Sequence, residues 1–259
     1  MKNFLSDSRR PPITVMVQGN TYQDCYMIIR GAMADSPDCF GIQLEYLLPE
    51  ERSDENLSSL FRLTGNKPLY VTSYRDHFNE GFTEKQCSEL LLRAVQFGAT
   101  LCDVPADYFD PQPNQITYKE AAVAAQKELI NKIHTAGAQV LMSAHTHCFL
   151  SYDEMLKAAQ AFISRGADVV KLVTLSNTLE QLLENLKTTA RLHETLDHPF
   201  LFLSGGAYCK IHRMIGPMLG SCMWLCAEHY DKNATVTQPL LRAVKQVVEH
   251  FDYLPEVRD

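Results

Sequence analysis

Lys171 sits in the run Asp168-Val169-Val170-Lys171-Leu172-Val173, with valines on either side. Such an apolar, β-branched run reads as a strand covered on both faces, so the amine is expected to be buried. A buried lysine is rare unless it is paired. Two readings follow. One is a structural ion pair with a carboxylate such as Glu45. The other is an amine nucleophile that forms an imine with a ketone. An ordinary lysine amine is neutral in roughly one molecule in 2,500 at pH 7, so a nucleophile needs surroundings that favour the neutral form. Burial and nearby Arg75 and Arg213 would provide them.

Four more residues stand where apolar runs end. His145 closes Met142-Ser143-Ala144-His145 and is either a satisfied rim histidine or a proton shuttle near neutral pH. His145 and His147 face one way in an extended segment and, with Cys148, would give at most part of a metal site; no further ligand is spaced to complete it. Glu45 ends the second run, as an ion-pair partner for Arg75 or Lys171 or as a group that orients His145 or a substrate hydroxyl. Arg75 and Arg213 follow the third and seventh runs, as surface charges or as forks for a carboxylate. Together, Lys171, His145, Glu45 and the two arginines suit imine chemistry on an anionic keto compound.

These positions are set by a repeat. Strand-like runs at 13–17, 41–45, 68–73, 100–104, 138–143, 168–173, 200–203 and 222–225 alternate with helical patterns. The helices read at 21–34, from 54, from 83, and at 118–136, 152–165, 179–196 and 239–251. Strand–helix alternation means βαβ units and a parallel sheet. About eight units of roughly 32 residues predict a single α/β domain, a closed (β/α)8 TIM barrel, over residues 1–259. Residues 1–12 are expected to be a flexible N-terminal segment. The rival open sheet would want a glycine-rich dinucleotide turn, and the first run ends Gln18-Gly19-Asn20-Thr21 instead. In barrels, catalytic groups gather at the C-terminal ends of the strands, where these residues lie.

Composition narrows the class. The chain has 259 residues, is 46% hydrophobic and carries a formal charge of -7. Whole-chain disorder is excluded, and the acidic balance argues against nucleic-acid partners. No apolar run is long enough to span a membrane, and residues 1–12 lack a signal peptide's apolar stretch. The eight cysteines are scattered, which fits free thiols in a reducing cytoplasm.

The sequence resembles the type I 3-dehydroquinate dehydratases from Ile13 to about Val248. Its most specific stretch, Gly166-Ala167-Asp168-Val169-Val170-Lys171-Leu172, is similar to the segment bearing that family's Schiff-base lysine. Met142-Ser143-Ala144-His145 resembles the segment of its proton-shuttling histidine, and Val15-Met16-Val17-Gln18-Gly19-Asn20-Thr21 its first strand and turn. Arg213-Met214-Ile215-Gly216, with Gly220-Ser221, resembles the part that binds the substrate carboxylate. Thr72-Ser73-Tyr74-Arg75, Glu45 and Gln238 fall at further substrate-binding positions. The resemblance implies a cytoplasmic TIM-barrel lyase of the shikimate pathway and aromatic amino acid biosynthesis. It implies dehydration of 3-dehydroquinate through a lysine imine, with no metal or organic cofactor, a small anionic substrate and a homodimer.

The departures fall on the substrate clamp. The arginine and aspartate of the family's Glu-x-Arg-x-Asp motif are Leu47 and Pro49 here. A first-strand serine is Met16, the serine four before the glutamine is Ala234, and a glutamate after the fourth strand is Pro105. Leu203-Ser204-Gly205-Gly206 replaces a methionine-rich patch. Glu80 is only a shifted candidate for the glutamate that supports the histidine. Two alternatives therefore stand beside dehydroquinate dehydration: a Schiff-base lyase or aldolase for another keto acid, and a non-catalytic ligand-binding barrel. The polar stretch 231–235 is a candidate lid.

Overall fold

A computed structural model describes residues 4, 5 and 10–250. Among these residues, eight strands alternate with eight α-helices. The strands are β1 (Ile13–Val17), β2 (Cys39–Gln43), β3 (Leu69–Thr72), β4 (Leu101–Pro105), β5 (Gln139–His145), β6 (Val169–Leu175), β7 (Phe200–Gly205) and β8 (Trp224–Ala227). The helices are α1 (Tyr22–Ala34), α2 (Asp54–Leu63), α3 (Glu84–Gln96), α4 (Glu120–Ala136), α5 (Tyr152–Arg165), α6 (Leu179–Thr195), α7 (Cys209–Ile215) and α8 (Leu241–His250). Parallel ladders join the strands in the order β7-β6-β5-β4-β3-β2-β1-β8. At the remaining seam, Cys222 N–H donates to Phe200 O (2.7 Å) and Phe202 N–H to Ser221 Oγ (3.1 Å). The expected TIM barrel is the observed fold.

Alternation along each strand makes two cores. On β6, Val170 and Leu172 point outward into the core beneath the helices, while Val169 and Val173 point into the barrel. Lys171 lies between those two inward valines, so the pleat alone sends its amine inside. The barrel interior is closed at depth by apolar residues including Leu101, Leu141, Val169 and Leu201. Phe4 packs edge-on against Tyr70 in that layer, and its N–H donates to Gln139 Oε1 (2.7 Å). The segment 1–12, expected to be flexible, otherwise lies partly outside the described residues.

Helix ends are locally specified. Thr21, Thr83 and Ser151 accept from the backbone three residues on, and Asp24, Gln86 and Glu154 return the bond, giving three capping boxes. α4 and α5 stop at Gly137 and Gly166, whose φ of 101° and 103° suits glycine.

Three boundaries differ from the sequence reading in ways that matter. β2 ends at Gln43, two residues early, because Leu44–Tyr46 form a 3-10 turn that carries Glu45 off the strand. β8 begins two residues later than expected, at Trp224. Helix α7, which carries Arg213, was not predicted: its two turns are too short to show a hydrophobic period. The last helix, expected to reach residue 251, is described to His250. Among the described residues no helix is long and apolar enough to cross a membrane.

Candidate active site

A cavity of about 430 Å³ opens at the C-terminal ends of the strands. Lys171, His145, Arg213, Arg75 and Gln238 line it, and Glu45 does not. The volume is within the range of small-molecule sites.

Lys171 is held by a buried network. Its Nζ donates to Asp103 Oδ2 (3.1 Å), Tyr70 Oη (3.1 Å) and Tyr74 Oη (2.7 Å). Three bonds use all three N–H groups of an ammonium. Both tyrosine hydroxyls in turn donate to Asp103 Oδ2, and Ser143 Oγ donates to Oδ1 (2.5 Å). One carboxylate thus accepts four bonds, with its side chain fully buried. Burial, followed by the charge on Asp103, pushes both phenols well above their usual range, so they remain hydroxyls. The expected carboxylate partner, Glu45, is replaced by Asp103. The signal was legible: Asp103 breaks an apolar run as Lys171 does, and alternation points both inward.

His145 stands beside this network. Its ring meets Tyr74 edge-on, with centroids 5.2 Å apart. Gln115 Oε1 accepts from the His145 backbone N–H (2.9 Å) and lies 3.1 Å from Nδ1. Burial, then the positive charges of Lys171 and Arg213, push the imidazole well below its ordinary value. It is neutral at physiological pH and able to take a proton.

The other wall is built differently. Arg213 reaches the cavity from α7; its Nε donates to Ser204 O (2.8 Å), and no carboxylate pairs with it among the described residues. Burial lowers its pKa to about 10, so it is still a cation at neutral pH. Gln238 is 5% exposed, and its Oε1 has no hydrogen-bond partner among the described residues. The segment 231–235 is tied to β1's end: Thr235 N–H donates to Gln18 Oε1 (2.8 Å), and Gln18 Nε2 donates to Thr235 Oγ1 (2.5 Å).

Two expected site residues have carboxylate or hydrogen-bond partners within the protein. Arg75 touches the cavity, but its guanidinium pairs with Asp107 (2.6 Å) and Glu84 (2.9 Å). Burial disfavours that charge, and the two carboxylates outweigh the effect and raise its pKa. The turn after Thr72 sends Tyr74, not Arg75, to the lysine. Glu45 is fully buried behind the wall, accepting from Gln43 Nε2 (2.8 Å) and Thr72 Oγ1 (2.9 Å). Burial raises its pKa to about 7. Gln43 takes the cavity position in its place. Glu80 is exposed and is not on the wall; Gln115 meets His145 instead. Sequence reasoning missed Gln115 because residues 106–119 form a loop with no period.

The family model for type I 3-dehydroquinase matches residues 13–253. A 3-dehydroquinate dehydratase of Lactiplantibacillus plantarum is 25% identical over 230 residues, covering 86% of each chain. One from Alkaliphilus oremlandii is 33% identical over 125 residues, covering 48% of each. Among solved structures, the type I 3-dehydroquinate dehydratase of Clostridium difficile, with covalent modified comenic acid, has a TM-score of 0.77 at 18% identity; 93% of this chain and 92% of that one are covered. The Enterococcus faecalis 3-dehydroquinate dehydratase has a TM-score of 0.72 at 19% identity, with 93% and 94% covered.

Proposed function

Because the chain belongs to the type I 3-dehydroquinase family, we propose that it dehydrates 3-dehydroquinate to 3-dehydroshikimate through an imine on Lys171. One observation carries the assignment of roles. A lysine, a neutral histidine and an arginine without a carboxylate partner open on one cavity. The acid substrate supplies what that wall lacks, an anion for Arg213.

The steps follow from the groups present. Lys171 first passes one proton to His145, since an ammonium has no lone pair. Its amine adds to the C3 ketone, and the adduct's hydroxyl leaves as water with the proton that His145 returns, giving a cationic imine. Asp103, 3.1 Å from Nζ, places a negative charge beside that nitrogen, which is cationic as ammonium and again as iminium. The imine draws electrons from C2, and His145 takes the C2 proton to leave an enamine. The enamine expels the C1 hydroxyl, which leaves as water with the proton His145 returns. A water then hydrolyses the product imine and frees Lys171. Net, one water is lost and no oxidant or cofactor is consumed.

Arg213 and Gln238 hold the carboxylate in this reading, while Thr72, Tyr74 and Gln43 meet the ring hydroxyls. Arg75 and Glu45 support the walls. We extend the proposal to a cytoplasmic homodimer in aromatic amino acid biosynthesis; sedimentation equilibrium checks the assembly. The experiment on function is incubation with 3-dehydroquinate while following the ultraviolet absorbance of the conjugated enone. The proposal expects turnover in the wild type and none in Lys171→Ala. Stable wild-type protein that forms no enone would remove dehydroquinate as the substrate.

A further inference from the structure

Gln115 makes two contacts through a single atom, and together they settle a question that ring geometry alone leaves open. The His145 backbone N–H can only donate, and it points at Gln115 Oε1 (2.9 Å). That contact fixes which end of the amide is the oxygen. The same oxygen lies 3.1 Å from His145 Nδ1. An amide oxygen has no proton to give, so a hydrogen bond here requires the proton on Nδ1. A neutral imidazole protonated at Nδ1 carries its lone pair on Nε2.

We propose that Gln115 is the positioning residue that fixes His145 in the Nδ1–H tautomer, leaving Nε2 as the ring atom that accepts the substrate proton. The catalytic consequence rests on the dehydratase reading; the tautomer assignment does not.

The loop is built to hold this amide in place. Gln115 has a φ of 55°, a left-handed conformation that a non-glycine residue keeps only when its surroundings impose it. Its N–H donates to Gln112 O (3.0 Å), and Gln112 N–H donates to Asp107 Oδ2 (3.0 Å). Asp107 is the carboxylate gripped by Arg75. The chain of contacts therefore runs from Arg75 through Asp107 and Gln112 to Gln115 and His145. It gives Arg75 a use that its position beside the cavity does not suggest. Farther along, Arg165 donates to Thr117 O (2.6 Å) and pins the loop to α5.

A neutral amide orients the ring without adding a negative charge. The groups that face His145 are Lys171 from β6, Arg213 from α7, His147 from its own segment and Tyr74 after β3, and none of these is a carboxylate. A carboxylate at position 115 would hold the same tautomer and favour the imidazolium. The two roles, orientation and charge, are thus separable by substitution.

The experiment is nitrogen NMR on wild-type protein labelled in its histidines, together with Gln115→Ala and Gln115→Glu. In the wild type, His145 is expected to show a protonated, pyrrole-like Nδ1 and a pyridine-like Nε2 at pH 7. Gln115→Ala should lose that single tautomer and lower kcat about ten- to a hundredfold with KM nearly unchanged. Gln115→Glu should keep the tautomer, recover most of kcat and move the acid limb of the pH profile upward. A wild-type ring protonated at Nε2 would overturn the proposal, with or without measurable turnover. So would a Gln115→Ala variant whose only defect is KM, which would make Gln115 a substrate contact. Wild-type protein with the expected tautomer and no dehydratase activity would support this inference and defeat the functional reading.

Discussion

The two walls of the cavity obey opposite rules. On the β3–β6 side, Lys171, Asp103, Tyr70, Tyr74 and Ser143 satisfy one another, and each N–H of the lysine has an acceptor. On the other side, Arg213 has no carboxylate and the carbonyl oxygen of Gln238 has no partner among the described residues. A buried polar network is stable when complete, and a buried unpaired group is costly unless something arrives to pair it. The first wall is preorganised for the positive charge that one nitrogen carries as ammonium and again as iminium. The second is unfinished until a substrate brings an anion to Arg213 and a hydrogen-bond donor to the Gln238 oxygen. Substitutions should therefore cost stability on the first wall and affinity on the second.

The largest effect belongs to the reacting amine. Lys171→Ala should lower kcat by about 10⁴ or more, because among the described residues no other lysine lines the cavity. Next, Asp103→Ala leaves the lysine charge buried without its partner. Urea denaturation should show a loss of about 3–5 kcal/mol. If stability were unchanged, the picture of a mutually satisfied network would fail.

Glu45 gives a pH test of similar size behind the same wall. Its pKa is about 7 when folded, raised by burial from an ordinary value of 4.5. Between those values the folded chain binds a proton that the unfolded chain has released. Stability contributed by that group is full below about pH 4.5 and is lost as pH rises through about 7. The loss amounts to about 3 kcal/mol, from about 1.36 per pH unit. Glu45→Gln should abolish this part of the pH dependence, so its stability relative to wild type should rise between about pH 4.5 and 7 and then level off. Parallel curves for the two proteins would contradict the assignment.

The second wall should behave otherwise. Arg213→Ala removes charge-assisted bonds worth about 1.5–3 kcal/mol, so KM should rise by roughly 10- to 150-fold. The midpoint of unfolding should barely move, because no protein carboxylate is stranded. Gln238→Ala should give the smallest change, a KM increase of about fivefold, because the amide carries no charge and Arg213 still holds the carboxylate. Equal losses of stability from Arg213→Ala and Asp103→Ala would erase the distinction between the walls.

Much of the barrel was legible because strand alternation and helix caps are local signals. Val169, Lys171 and Val173 share a face by the pleat alone, reading strand ends brought forward Lys171, His145 and Arg213, and the family resemblance added Gln238. What failed to show was decided by turns. The 3-10 turn at Leu44–Tyr46 carried Glu45 behind the wall and left Gln43 on it. The bend after Thr72 sent Tyr74, to which no role was assigned, toward the lysine in place of Arg75. Gln115 acts through a left-handed residue in a loop, where spacing carries no directional information. Asp103 differs from these, since its lone charge in an apolar strand marked it as clearly as Lys171.

The most direct measurement is borohydride reduction of the enzyme in the presence of 3-dehydroquinate, followed by peptide mass spectrometry. The account predicts a reduced substrate adduct on the peptide carrying Lys171, absent from Lys171→Ala. Folded, substrate-saturated wild type without an adduct at Lys171, or with one at another lysine, would contradict it.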